Sequence, residues 1–400
     1  MDFRPEASVL PLKRDERLKE RLQNHLESLG FFLPLDGGLI SNANSKDAIR
    51  YFHAEHRRST FDRNSDFAQQ SWPSLKKFFA SGRQVVPELI SPRVELVNPS
   101  TWQARLFRLA SLTWSVPVSR GFGRRLRFLV WDDSNEKLIG IFAIGDPVFN
   151  LGVRDRYIGW TGAGRVERLV NVMDAYVLGA IPPYNALLGG KLLACLLRTK
   201  EVYNAFQERY GEKVGLISGQ AKTAHLLAVT TSSSMGRSSI YNRLKLHGES
   251  YLSSIGYSGG WGHFHVSEEL FTEMRNYLRA TGHRYADEHQ FGKGGNWRIR
   301  TIRAALKALG MQGDMLKHGI QREVFIGMFA DNSLELLNGT TASPPALQIK
   351  TAAEVASHAL ERWIIPRASR CPEFRNWHCD NLEGLIFAHH AEVDLVANAS

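Results

Sequence analysis

Cysteine is scarce in this chain: Cys195, Cys371 and Cys379 are the three in 400 residues. So sparse and odd a count argues against a disulfide framework and for a reducing compartment. Cys371 and Cys379 lie near His378, but there is no C-x-x-C pair, so the ligand spacing of a structural zinc site is missing. Outside the glycine-interrupted stretch 169–197, no run of about 18 uncharged apolar residues occurs. The first residues, MDFRPEASVLPLKRDER, carry charges where a signal peptide needs an apolar segment. The expectation is a soluble, cytoplasmic protein without a membrane partner. Internal repeats and low-complexity blocks are absent, as are the P-loop G-x-x-x-x-G-K-S/T and the G-x-S-x-G elbow. No carboxylate pair has the spacing of a nuclease metal site, although Asp132-Asp133 and Asp287-Glu288 are available.

What is present is a core-forming, basic composition. Hydrophobic residues make up 43%, enough for a substantial core. Lys+Arg number 50 against 40 Asp+Glu, a formal net charge of +10. That excess suits a polyanionic partner, nucleic acid first, and is equally compatible with a merely basic soluble protein.

Periodicity divides the chain into three expected regions. Residues 1–98 read as helical, with Leu18, Leu22, Leu26 and Leu29 at helical spacing ahead of Gly30, and a second helix after Ser45. Residues 99–278 read as an α+β core. Strands are expected at 125–131 and 138–145 around the turn DDSNEK, then at 169–180, 226–231 and 261–266. Helices are expected at 187–198, 201–210 and 236–246, and after the cap Ser267. Residues 279–400 read as a basic, mostly helical addition, with a linker at Ser343-Pro344-Pro345.

The stretch LVNVMDAYVLGAIPPYNALLGGKLLACLL (169–197) carries the first candidate chemistry. A strand feeding a helix through Gly189, Gly190 and Lys191 gathers backbone N–H groups and the positive end of a helix dipole at one spot, a recipe for an anion. Two small residues also permit close helix–sheet packing. Asp174 and Tyr176 alternate to one face of the preceding strand, where an enclosed carboxylate has a raised pKa and can act as a base, or can accept structural hydrogen bonds. His263 and His265 alternate on a strand and can share a metal, but no third ligand is identifiable nearby, and His283, Glu288 and His289 form a looser group. The best nucleic-acid candidates are Lys293, Asn296, Trp297, Arg298, Arg300 and Arg303. Forked arginine donors, a glycine-rich approach and a stackable indole occur together there. Arg237 and Arg243 can also reach phosphate; Arg120, Arg124, Arg125, Arg127 and Arg362, Arg367, Arg370 form further clusters.

Two resemblances sharpen these expectations. GGKLLACLL (189–197) and AVTTSSSMGRSSIYNRLKL (228–246), in the order strand, turn, helix, strand, short helix, resemble the core of the GNAT (GCN5-related N-acetyltransferase) family. That likeness implies acyl-CoA held at Gly189, Gly190 and Lys191, with Tyr241 as acid to the departing thiolate. The family's usual loop has Gln/Arg and a further glycine where this chain has Tyr184 and Leu187. A longer likeness covers roughly residues 100 to 375. DRYIGWTGAGRVERLVNVMDAYVLGAIPPYNALLGGKLLA, SSIYNRLKL, the glycine-rich segment 291–300 and LKHGIQREVF with its following ADN resemble the DruA family of Druantia anti-phage systems. It implies antiviral defence beside other Druantia components, a large helicase-like protein among them, and transfers no reaction.

The fold expected is therefore α+β, a GNAT-like mixed sheet with flanking helices and helical N-terminal and basic C-terminal additions. The function expected is DNA binding in a Druantia-type defence system. The alternatives are an acyltransferase acting on a nucleobase or protein amine, with Asp174, Tyr176 and Tyr241 as catalytic candidates, and a non-catalytic recruiting scaffold.

Overall fold

The computed structural model describes residues 9–32, 39–41, 46–116, 118–119, 121, 123–214, 221–263, 265–287, 297–311 and 315–387. The chain divides into two compact units, one formed by 1–58 with 259–322, the other by 59–258 with 323–400. The break expected near residue 98 falls inside the second.

The second unit is built on a mixed seven-stranded sheet. Its strands are β1 (Pro92–Leu96), β2 (Arg125–Asp132), β3 (Lys137–Gly145), β4 (Val172–Ala180), β5 (Ala228–Ser232), β6 (Ser253–Tyr257) and β7 (Glu323–Met328). Their order across the sheet is β6-β7-β5-β4-β3-β2-β1. All neighbours are antiparallel except β4 and β5. The β2–β3 hairpin forms where apolar alternation flanks a polar turn, and Asp132 fixes that turn by accepting from Ser134 N and Oγ at 3.1 and 2.7 Å. Parallel pairing needs a crossover, and the helix Gly189–Leu196 supplies it between β4 and β5.

Alternate residues of the sheet feed two apolar layers. Met173, Ala175, Val229 and Phe325 pack with Leu192, Leu193 and Leu196 on one face. A β-bulge at Tyr176 breaks the alternation, so Val177, with Ile181, joins Leu106, Leu109, Leu129 and Leu138 on the other face, while Val172, Ala228 and Ile326 pack with Ile158 and Leu337.

The first unit is helical, with helices Val9–Ser28, most of Lys46–Asp62, Glu268–Ala280 and Trp297–Ala308. Leu18, Leu22 and Leu26 are buried at the expected spacing, and Ser267 caps its helix by accepting from Leu270 N at 3.1 Å.

Two expected elements are corrected. No helix forms over 236–246. Gly236 and Arg243 take φ of 77° and 58°, and Ser238 Oγ captures the N–H groups of Ile240 and Tyr241, both at 3.2 Å. Such side-chain bonds compete with helix formation. The stretch 261–266 contributes no strand among the described residues, only an isolated bridge between Trp261 and Lys317.

Candidate functional site

The parallel contact of β4 and β5 is short: Val172 with Ala228, Met173 with Val229, Asp174 with Thr230. Beyond it β4 runs on to Ala180, paired only with β3, and β5 ends at Ser232. Thr231 Oγ1 donates to the Ala175 carbonyl at 3.1 Å where the pairing stops. Tyr241 belongs to the layer on the crossover-helix face. Its ring lies edge-on to Phe325 at 5.3 Å, and burial, opposed by a hydrogen bond with Thr231, pushes its hydroxyl up to about 12.

The two glycines opening the crossover helix sit in close contact. A Cβ at Gly189 would lie 2.6 Å from the Tyr184 carbonyl oxygen and 3.0 Å from the Ala180 Cβ; one at Gly190 would lie 3.2 Å from Ile240. Gly189→Ala should therefore destabilise the second unit by about 1–3 kcal/mol, read as a lowered urea midpoint. Lys191 Nζ stands 5.7 Å from the Trp363 ring centroid.

Asp174 and Tyr176 occupy the opposite sheet face, so the sheet separates them from Tyr241 and Gly189. Thr230 Oγ1 donates to Asp174 Oδ1 at 2.7 Å. Asp174 keeps intermediate surface, yet enough protein encloses its carboxyl that burial pushes it up to about 6, opposed by Thr230 and Arg154. Tyr176 packs against Gly145, and its buried hydroxyl has no hydrogen-bond partner among the described residues. Beside Asp174 lies Arg154, wholly buried and bonded to Asp155 Oδ1 through Nε at 2.9 Å and Nη2 at 2.7 Å. Arg165 Nη1 reaches the other oxygen of Asp155 at 2.8 Å.

The expected nucleic-acid residues separate into different roles. Lys293 and Asn296 lie outside the described residues. Arg298 turns inward: Nη1 donates to Glu268 at 2.6 Å, and Nη2 to the carbonyls of Val266 and Ser267 at 2.9 and 3.3 Å. Trp297 is half-buried, edge-on to Phe271 at 5.2 Å. Arg300 and Arg303 are exposed, and Lys307 continues their face at helical spacing. The Arg303 guanidinium lies 5.0 Å from the ring of Trp261, which is 42% exposed and bridged to Lys317. Trp261, Lys307 and Lys317 were not among the sequence candidates; the i, i+4 step from Arg303 to Lys307 was legible, whereas the approach of Trp261 was not. In the second unit Arg237 and Arg243 are exposed on a segment held by Glu323, which accepts from Ser238 N at 3.3 Å and Asn242 Nδ2 at 3.1 Å.

His265 is buried, with Nε2 2.8 Å from the Met315 carbonyl; His263 is half-buried. Neither joins a three-ligand group among the described residues. The group with metal-ligand spacing there is His378, Cys379 and Asp380, where Lys76 is already ion-paired to Asp380. All three cysteines are free thiols.

A family profile described as "Druantia protein DruA" matches residues 43–339, which include the whole crossover region and the Trp297 helix. The chain belongs to the DruA family. The Druantia protein DruA of Escherichia coli (strain UMEA 4076-1) is 56% identical over 373 residues, covering 93% of this chain and 92% of that protein. No solved structure matches. Membership in DruA implies a role in antiviral defence. No helix among the described residues is long and apolar enough to cross a membrane.

Proposed function

We propose that this DruA-family chain is a DNA-binding component of a Druantia defence system, gripping the phosphate backbone while a helicase-like partner acts on the same DNA. The observation that carries the reading is the exposed face of the Trp297–Ala308 helix. Arg300, Arg303 and Lys307 project from it, the helix contains no acidic residue, and an exposed indole, Trp261, lies under Arg303. Cations in a row with an adjoining aromatic suit a phosphate strand and its bases. Arg298 contributes indirectly, anchoring the helix to Glu268 and the 266–267 backbone.

Fluorescence anisotropy with labelled DNA tests this. The R300E/R303E/K307E variant should bind at least about tenfold more weakly, and its log affinity should fall less steeply with log salt, by a slope of about 3. Unchanged affinity and salt slope would sink the reading.

A second reading is favoured by one observation, the short parallel pairing of β4 and β5 bridged by a helix. That arrangement is what a GNAT-like acyltransferase would use to admit acyl-CoA, with Gly189, Gly190 and Lys191 toward its phosphates and Tyr241 toward its sulfur. Calorimetry with acetyl-CoA tests it; no heat at millimolar ligand counts against it.

A further inference from the structure

A second basic surface arises where two distant segments of the second unit meet. The strands Lys245–Leu246 and Glu249–Ser250 form a tight hairpin. Its turn residues His247 and Gly248 take φ of 48° and 85°. Left-handed pairs suit such two-residue turns, and the histidine pays a steric cost that glycine does not. The hairpin is clamped from below by Arg198, a nearly buried side chain whose Nη2 donates to Glu249 at 2.9 Å and whose Nη1 reaches the carbonyl of Ser250 at 3.3 Å. His247 is thus held in place against His358, on the helix Ala352–Ala359; the ring centroids are 4.3 Å apart. Lys245 and Arg362 are exposed on the same two segments.

The surroundings favour an anion. His358 Nε2 is buried with no hydrogen-bond partner among the described residues. Burial foremost, then His247 and Arg362, hold His358 below its ordinary pKa, while a hydrogen bond with the Lys245 backbone opposes them. Two carboxylates near the hairpin and helix are engaged elsewhere, Glu249 with Arg198 and Glu354 with Thr351; Glu361 is exposed and works in the opposite direction on His358. A cation would meet Lys245 and Arg362 and find only two imidazole ligands. A phosphate would meet the exposed Lys245, His247 and Arg362, and would relieve the repulsion that His247 and Arg362 exert on His358.

We propose that His247, His358, Lys245 and Arg362 form a binding site for a phosphate ester, drawn from a nucleotide or from a polynucleotide backbone. The site stands apart from the DNA reading, because it uses none of the Trp297-helix residues.

The test is histidine side-chain NMR of the full chain, titrated with inorganic phosphate, then ATP, then a single-stranded oligonucleotide, each against sodium chloride at matched ionic strength. The expected result is movement of the His247 and His358 resonances with phosphate, and an upward shift of the His358 titration midpoint. Both should be lost in K245E/R362E, whose exposed substitutions leave the core untouched. Saturation at lower ATP than oligonucleotide identifies a nucleotide site; the reverse identifies a backbone site. Resonances that move equally in sodium chloride, that still move in K245E/R362E, or that respond to Zn²⁺ and not to phosphate overturn the proposal.

Discussion

Replacing Arg154 by methionine should cost the second unit about 3–5 kcal/mol, the largest loss we expect from any single substitution there. The side chain has no exposed surface. Its guanidinium donates to Asp155 twice, to the Val148 carbonyl at 2.9 Å and to the Phe149 carbonyl at 3.0 Å. Methionine fills much of the volume and makes none of these bonds, so Asp155 keeps only Arg165, and two carbonyls lose their donor. Asp174 suffers as well. Arg154 is one of the two influences opposing the burial that raises its carboxyl to about 6, so without Arg154 that carboxyl moves up further and takes a proton near neutrality. Lysine in place of Arg154 should recover little, since a point charge cannot reach Asp155 and two carbonyls together. Paired replacement separates the causes. Much of the loss comes from an uncompensated Asp155, so R154M/D155L should be more stable than R154M alone. Urea denaturation followed by tryptophan fluorescence reads all three. An R154M protein with an unchanged midpoint would show that the buried arginine contributes nothing net.

The residues around Arg154 also show how far the sequence could be read. Local signals sufficed for the β2–β3 hairpin, the Ser267-capped helix and the leucine stripe of Val9–Ser28, because each is decided by neighbours within a few positions. Strands β6 and β7 escaped, since SSIGY is polar and EVFIGM is too short a run to distinguish from buried helix. The helix expected over 236–246 failed for two reasons: Ser238 Oγ takes the N–H groups of Ile240 and Tyr241 locally, and Glu323, some 80 residues on, takes the N–H of Ser238 and the amide of Asn242. Asp174 drew attention in the sequence as a carboxylate in an apolar strand, whereas Arg154, which opposes the burial of that carboxyl, lay in a different element and carried no motif. Helical spacing places Arg298 off the stripe of Arg300, Arg303 and Lys307, yet only the fold shows that Glu268 holds it inward. The pairing of His247 with His358 spans a separation no pattern rule covers.

Acid should unfold the first unit ahead of the second. Burial foremost pushes His53 and His318 down to about 3, and His263 and His265 down to about 4. Geometry agrees for His318, whose Nδ1 accepts the Ile320 N–H at 3.1 Å and cannot do so when protonated. The sign follows from proton counting. Below pH 6.5 the unfolded chain protonates these rings while the folded chain does not, so the unfolded state binds more protons and stability falls with pH. The loss begins near 6.5, deepens through 4 and is complete only below 3, past the folded-state values. One ring held at about 4 in the folded state and 6.5 in the unfolded chain costs about 3 kcal/mol by pH 4, and four rings sharing a small helical unit leave little in reserve. Arg322 stands close enough to lower both His53 and His318, so each added proton also meets a fixed positive charge. Hydrogen exchange read by mass spectrometry between pH 7 and pH 4.5, corrected for the intrinsic rate, should show helices Val9–Ser28 and Glu268–Ala280 opening while β2, β3 and β4 stay protected. His265→Gln, which keeps a donor toward the Met315 carbonyl without a titrating ring, should flatten the pH dependence even if it lowers stability at pH 7. Equal opening of both units, or a pH slope untouched by His265→Gln, would remove the histidines as the cause.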